Sequence, residues 1–391
     1  MIIEIGNNLK GKPTLKCGNG QYPCIISSFG ISDASMSYAE EIKKAKAALQ
    51  VGANIVNDNS LDGDIDYNYE CCIKQTAAVF GLVAINGFAN DIHAHKDIRP
   101  IEFINRLKGQ MELGADIITL HASIWAGDWQ DLQSMDRIIP YTSRGGALLI
   151  KYMRYSGHQN PYFTYFDNIL QAAKKYNVTL SLCVSSRAAS IEDYLSHNEF
   201  YWVETKRVGE LVKRAQTAGV NVVVEGIGHC PLHCIADSIR KTKDVCYNAP
   251  YRVMSVCTDI ALGMDHLSSA ISAATAVASG ADMVTCITRA EHIGLPDLSD
   301  ITEAVRYTKL AIHIGYSART GHFVRDMAMA LERRKKGCGG EVNHAIDKVV
   351  AKRELLRHKF QVGQKKCTMC GDNCALKLTD ELIEGNESDG K

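Results

Sequence analysis

The sequence predicts a (β/α)8 (TIM) barrel followed by a C-terminal helical segment and a cysteine-bearing tail. Short β-branched runs alternate with amphipathic stretches, the pattern of parallel strands joined by crossover helices. Gly-Ala pairs (Gly52-Ala53, Gly114-Ala115, Gly280-Ala281) stand just before strand candidates, where a helix must stop and the chain turn back. Behind everything else comes Cys367-Thr-Met-Cys370-Gly-Asp-Asn-Cys374, a CX2CX3C cluster. An open doubly wound sheet is the competing architecture.

In chain order, the strand candidates are residues 23–28, 54–58, 82–86, 116–121, 178–183, 220–225, 253–258 and 282–287. Between them, 38–49 reads as a helix with Ile42, Ala45 and Leu49 on one stripe, and 208–215 as another with Leu211 and Val212. This divides the chain into an N-terminal segment (1–20), a barrel (21–315), a helical segment (316–360) and a cluster-binding tail (361–391).

Composition narrows the setting. At 391 residues, 46% apolar and 23% charged, the chain can bury a large core. Fourteen cysteines suit a disulfide scaffold only in a short secreted protein, and Met1-Ile-Ile-Glu-Ile-Gly has neither a basic nor an apolar leader region. Reduced thiols and a cytoplasmic location are therefore expected. No run approaches the roughly 18 apolar residues of a membrane span, and a formal charge of zero gives no general attraction to nucleic acid. The basic run Arg333-Arg334-Lys335-Lys336 reads as a solvated helix end. The expected partners are small molecules.

Barrel chemistry sits at the C-terminal strand ends. Ser28, Asn57, Asn86, His121, Glu225 and Thr288 close or follow strand candidates, with Arg187, His229 and His292 a few residues further on. Helix capping explains some of these polar residues equally well. Glu225-Gly-Ile-Gly-His229-Cys-Pro-Leu-His233 sets a carboxylate at a strand tip before two imidazoles, and Glu291-His292 follows the last strand. Imidazoles from two loops could share a divalent metal, or could be ordinary polar loop residues. Ser143-Arg144-Gly145-Gly146 offers amides, a hydroxyl and a guanidinium suited to a phosphate. Three thiolates on a 4Fe-4S cluster leave one iron free for a ligand, whereas a zinc knuckle needs a fourth ligand such as Cys338 or His358. Gly371 can supply the positive φ that a turn around a metal needs.

Together these stretches resemble the radical S-adenosylmethionine (SAM) enzymes related to phosphomethylpyrimidine (thiamin pyrimidine) synthase, over about residues 27–377. The matching runs are Thr-Leu-His121-Ala, Ser143-Arg-Gly-Gly, Leu-Ser-Leu before Arg187, Glu225-Gly-Ile-Gly-His229-Cys-Pro-Leu-His, Thr258-Asp-Ile-Ala-Leu-Gly-Met-Asp265-His, Glu291-His292-Ile-Gly-Leu-Pro and Cys367-Thr-Met-Cys-Gly. The resemblance implies a barrel whose cluster tail reaches the partner's barrel in a homodimer; a heterodimer with a paralogue is the alternative assembly. The resemblance also implies a 4Fe-4S cluster on Cys367, Cys370 and Cys374, SAM, and one divalent metal (zinc or iron) on His229 and His292. By the same resemblance the substrate is a ribotide, with its phosphate at Ser143, Arg144 and Gly145 and further contacts from His121, Arg187 and Glu225. Glu225 is the expected catalytic proton-transfer group, and an external donor supplies the electron.

Departures from the family pattern cluster around the ring of the substrate. Its Asn-Ile-Gly reads Ser28-Phe-Gly, a strand-end Met reads Asn57, and one Tyr reads Asn86 and another Arg252. Its Asp-Gly-Leu-Arg-Pro-Gly reads Val184-Ser-Ser-Arg187-Ala-Ala, and its Cys-Tyr-Val-Thr-Pro-Lys-Glu-His reads Thr285-Cys-Ile-Thr-Arg-Ala-Glu-His. Ser28, Asn57, Asn86 and Arg252 thereby become further candidate substrate contacts. A kept phosphate, metal and cluster set with a rebuilt ring pocket leads to the expectation of a paralogue, a radical lyase converting 5-aminoimidazole ribotide to 5-hydroxybenzimidazole for the cobalamin lower ligand. Phosphomethylpyrimidine synthase of thiamin biosynthesis and a non-catalytic partner subunit are the alternatives.

Overall fold

The computed structural model describes residues 1–6, 12–33, 35–336, 339–360 and 369–388. Ten strands are found among them: β1 (Ile2–Ile5), β2 (Leu15–Gly18), β3 (Cys24–Phe29), β4 (Ile55–Asp58), β5 (Val79–Val83), β6 (Ile117–Leu120), β7 (Thr179–Cys183), β8 (Val222–Gly226), β9 (Tyr251–Val253) and β10 (Met283–Thr285). β3 to β10 form a closed eight-stranded barrel in chain order, β10 pairing with β3, every pairing parallel. The closed sheet answers the question the sequence left open, since an open sheet would leave two edges to protect.

Strand alternation divides the barrel into two apolar sets. Ile26, Ile55, Val79, Ile117, Val223 and Met283 cluster with Ile3, Ile5 and Cys17 of the antiparallel β1–β2 hairpin, so the N-terminal segment closes the barrel floor. Their neighbours Ile25, Val56, Phe80, Ile118, Val222 and Val284 belong instead to the larger core shared with the surrounding helices. Helix Tyr38–Val51 buries Ile42, Ala45 and Ala48 there, and the expected 208–215 stretch lies inside the longer helix Glu199–Ala218. Gly52 and Gly114 end their helices at φ +122° and +111°, the left-handed stop predicted from the Gly-Ala pairs.

Two strands are displaced from their expected positions. β5 begins three residues earlier than residue 82, because Gly81 lies inside the strand rather than ending a loop. A Cβ at Gly81 would stand 2.5 Å from Asn57 Oδ1, so the absent side chain makes room for a polar group of the neighbouring strand. Asn86 consequently sits on the 3-10 turn Ala84–Phe88. β9 is Tyr251–Val253 rather than 253–258, and it carries a buried cation, Arg252, which the sequence offers as a candidate substrate contact outside any strand. Beyond Val253 only a bridge between Val256 and His229 continues the pairing.

The chain separates into two units, Met1–Arg319 and Thr320–Lys391. The 23-residue helix Leu298–Thr320 runs through the boundary expected at 315. The second unit contains helices Val324–Lys336, Lys348–Arg357 and Ala375–Ser388. Within it the basic run ends the first helix as expected, with Arg333 paired to Glu341 and Arg334 to Asp380. Among the described residues no helix is long and apolar enough to cross a membrane.

Candidate active site

A cavity of about 390 Å³ opens at the C-terminal ends of the barrel strands. Ser28, Asn57, Asn86, His121, Arg187, Glu225 and Arg252 border it, together with the Ser143–Gly145 loop, Thr288 and Glu291. Apart from His229, His292 and the cysteines, every site residue expected from the sequence therefore reaches one pocket.

Glu225, at the end of β8, is the electrostatic centre of the floor. Arg252 Nη1 of β9 lies 2.9 Å from Glu225 Oε2, and Arg187 Nη1 lies 3.6 Å from Oε1. The Ser181 hydroxyl and the Cys183 thiol of β7 donate to the same carboxylate, each at 3.5 Å. Burial would raise the Glu225 carboxyl, but the Arg252 and then the Arg187 guanidinium outweigh it and hold the group below its ordinary value. Arg252 also donates through Nε to Thr285 Oγ1 of β10 (2.8 Å) and through Nη1 to Thr119 Oγ1 of β6 (3.2 Å).

The Ser143–Gly145 stretch expected to take a phosphate forms a helix N-terminus. Ser143 caps helix Arg144–Ser156, its Oγ accepting from the Gly146 amide at 3.3 Å. The first amides, those of Arg144 and Gly145, have no carbonyl of a preceding turn to bind, and they border the cavity where an anion would meet the helix dipole. Gly145 is needed for a second reason: a Cβ there would stand 2.7 Å from both ring nitrogens of His121. Burial lowers the His121 imidazole from 6.5 to about 4, so the ring is neutral near pH 7, and its buried Nδ1 has no partner.

Asn59, which the sequence reading missed, joins the amide wall. Its Oδ1 accepts from Asn57 Nδ2 at 2.7 Å, and its backbone carbonyl accepts from Asn86 Nδ2 at 3.2 Å and Arg144 Nη2 at 3.4 Å. Asn86 Oδ1 is buried without a partner, an acceptor that a ligand donor would satisfy. Glu204 was also missed. Its fully buried carboxylate accepts from Ser123 Oγ, Ser185 N, Ser186 N and Ser186 Oγ at 2.6–2.8 Å, and so ties down the loop that carries Arg187.

His229 and His292 stand apart from the main cavity. They border a second one of about 430 Å³ with Ser190, Asp259 and Leu262, and Thr142 lines both. Their ring centroids are 5.3 Å apart. Asp259 Oδ1 holds His229 Nδ1 at 2.6 Å and Asp265 Oδ1 holds His292 Nδ1 at 3.0 Å. A carboxylate on Nδ1 fixes the tautomer that leaves Nε2 as a lone-pair donor, the usual support behind a metal-ligating histidine. The pair therefore fits a divalent ion, although no set of three or more such ligands occurs among the described residues. The two aspartates lie inside the Thr258–His266 run, where sequence alone gave them no role.

Of the tail cysteines, Cys367 lies outside the described residues, as does Cys338, one of the two residues weighed as a zinc ligand. Cys370 and Cys374 flank the single 3-10 turn Gly371–Asn373, with Gly371 at φ +54° and the Asn373 amide bonded to Cys370 O at 3.0 Å. Cys370 is exposed and both are free thiols. Two thiols at the ends of one tight turn fit the ligand spacing of a cluster.

Phosphomethylpyrimidine synthase of Thermoanaerobacter sp. (strain X514) is 35% identical over 390 residues, covering 97% of this chain and 90% of that protein. Phosphomethylpyrimidine synthase of Caldanaerobacter subterraneus subsp. tengcongensis is 36% identical over 374 residues (94% and 86%). Phosphomethylpyrimidine synthase 2 of Methanosarcina barkeri is 35% identical over 396 residues (100% and 91%). The model of the radical SAM ThiC family matches residues 1–381, and the chain belongs to that family.

Proposed function

We propose that the chain is a radical SAM lyase that acts on 5-aminoimidazole ribotide. One observation carries the reading: a single cavity joins a helix N-terminus suited to a phosphate, at Ser143–Gly145, to a buried anion, Glu225, suited to the N–H groups of a small heterocycle. Membership of a radical SAM family implies a 4Fe-4S cluster and SAM. Bound together, those groups supply one-electron reductive cleavage and a hydrogen-abstracting radical. Cys370 and Cys374, with Cys367, would hold the cluster, and His229 and His292 the accessory divalent ion. The chain's own residues bind and orient: Ser143 and Arg144 take the phosphate, His121 and Asn86 face the ring, and the barrel walls exclude water.

Of the products weighed from the sequence, the phosphomethylpyrimidine of thiamin biosynthesis is the better supported, because all three relatives carry that activity in their names. The relatives give no support to 5-hydroxybenzimidazole as the main product. One observation still favours it as a second reading: Asn57, Asn86 and Arg252, at positions where the family pattern has Met or Tyr, all border the same cavity. The same reading takes the protein as cytoplasmic, dimeric with itself or a paralogue, and dependent on an external electron donor. Anaerobically reconstituted protein given 5-aminoimidazole ribotide, SAM and reductant, with both products sought by mass spectrometry, tests the assignment. Deoxyadenosine formed only when the ribotide is present supports it, and SAM cleavage indifferent to the ribotide opposes it.

A further inference from the structure

Arg252 is unusual for a barrel strand. It is 4% exposed, sits between two apolar neighbours on β9, and reaches three other strands: Glu225 on β8, Thr285 on β10 and Thr119 on β6. A guanidinium spanning the barrel in this way is a strut whose fork is already committed to protein partners. Its main partner is the carboxylate from which the sequence led us to expect proton transfer.

We propose that Arg252 is a positioning residue that fixes Glu225 as a permanent anion aimed into the cavity, so that Glu225 recognises an N–H edge of the bound heterocycle and does not shuttle protons. The recognition half of this proposal rests on the substrate reading above; the clamp itself does not.

Each carboxylate oxygen has its own cation, Oε2 facing Arg252 and Oε1 facing Arg187. Every other group that meets the carboxylate favours the anion or is neutral: Ser181 and Cys183 of β7 donate to it, and the buried His121 ring beyond β6 is uncharged near pH 7. A proton placed on Glu225 would strand two buried guanidiniums with one negative charge fewer, and removing one partner of a buried ion pair is strongly unfavourable. A general base needs the opposite arrangement, a carboxylate whose protonated form is accessible near the working pH. As a fixed acceptor, Glu225 suits an amino-substituted imidazole, whose ring and exocyclic N–H groups need a buried partner.

Isotope-edited infrared spectroscopy of the apoprotein, with the Glu225 bands identified by subtraction of Glu225→Gln, reads the ionisation directly. Between about pH 5 and about pH 8 the wild type should show the Glu225 carboxylate and no protonated carboxyl band. Arg252→Gln should show the protonated band growing in as pH falls, because burial then acts against one cation instead of two, and Arg252→Lys should restore much of the wild-type behaviour. A wild-type Glu225 that titrates within that range, or an Arg252→Gln protein that behaves as wild type, overturns the clamp. The wild-type measurement decides alone if Arg252→Gln does not fold. Binding of 5-aminoimidazole ribotide to Glu225→Gln is the second arm: an affinity loss of about 10-fold or more is expected for a lost charged hydrogen bond. Unchanged affinity with abolished turnover would return Glu225 to proton transfer. If the wild type does not bind the ribotide, the substrate reading and the recognition half fall together, while the infrared result still decides the clamp.

Discussion

Replacing Glu204 with glutamine tests how far a residue outside the cavity builds the site. The carboxylate accepts four hydrogen bonds, two on each oxygen: Ser123 Oγ and Ser185 N on Oε1, and Ser186 N and Ser186 Oγ on Oε2. Glutamine turns one acceptor into a donor. The serine hydroxyl on that side can rotate to accept from the new amide, but the backbone N–H on the same side cannot, so one buried amide is stranded whichever way the side chain lies. That costs about 1–3 kcal/mol, and weakening the remaining bonds from charged to neutral adds about 1 kcal/mol each, partly offset by the easier burial of a neutral side chain. The net expectation is destabilisation of about 2–5 kcal/mol, seen as a lower urea midpoint at unchanged slope. Because Ser185 and Ser186 lead directly into Arg187, ribotide affinity should fall as well. A loss of stability below about 1 kcal/mol would refute the hydrogen-bond reasoning, and a large loss with unchanged affinity would refute the link from Glu204 to Arg187.

Gly145→Ala should leave the barrel folded at a cost of about 1–3 kcal/mol while weakening ribotide binding severely, since the new methyl displaces the His121 ring; equal affinity would remove that contact from the site. His121 should give a pH signature. Its folded pKa of about 4 lies below the unfolded 6.5, so the unfolded chain alone takes up the proton as pH falls through that window, and about 3 kcal/mol of stability is lost. Asp58, pushed up by burial to about 6, acts oppositely over almost the same range and masks the effect in the wild type, so it should be read as the difference from His121→Asn; a constant difference across pH would show that His121 is not held neutral. His229→Ala and His292→Ala should each lose one bound divalent ion beyond the cluster iron, and Asp259→Asn should weaken it by about 10–100-fold; elemental analysis showing full metal in all three would return the histidines to ordinary loop residues.

The barrel was legible because apolar β-branched runs mark strands whatever their helices do, and the shared cavity followed because strand ends in a barrel converge. Legibility failed where one residue contradicts its surroundings. Gly81 looks like a break and is a space for Asn57; Arg252 reads as a substrate contact beyond any strand and is a strut inside the barrel. Glu204 was hidden differently. It shares a helical face with Phe200 and Val208, both buried, and an acid on an apolar stripe is the signal that could have exposed it. Asp259 and Asp265 lay within a recognised run, but only the folded geometry pairs each with its histidine. Arg187 and Arg252 each read as a candidate substrate contact, and nothing in their spacing along the chain reveals that both converge on Glu225.

The central claim is that this barrel directs radical chemistry onto a phosphorylated aminoimidazole. Anaerobic turnover with 5-aminoimidazole ribotide deuterated on its ribose carbons, SAM and a reductant tests it most directly, with Cys370→Ala as the control. The account predicts deuterium in the 5′-deoxyadenosine released by the wild type, an organic product derived from the ribotide, and neither from Cys370→Ala. Deoxyadenosine without deuterium, or ribotide recovered unchanged beside full SAM cleavage, would contradict it.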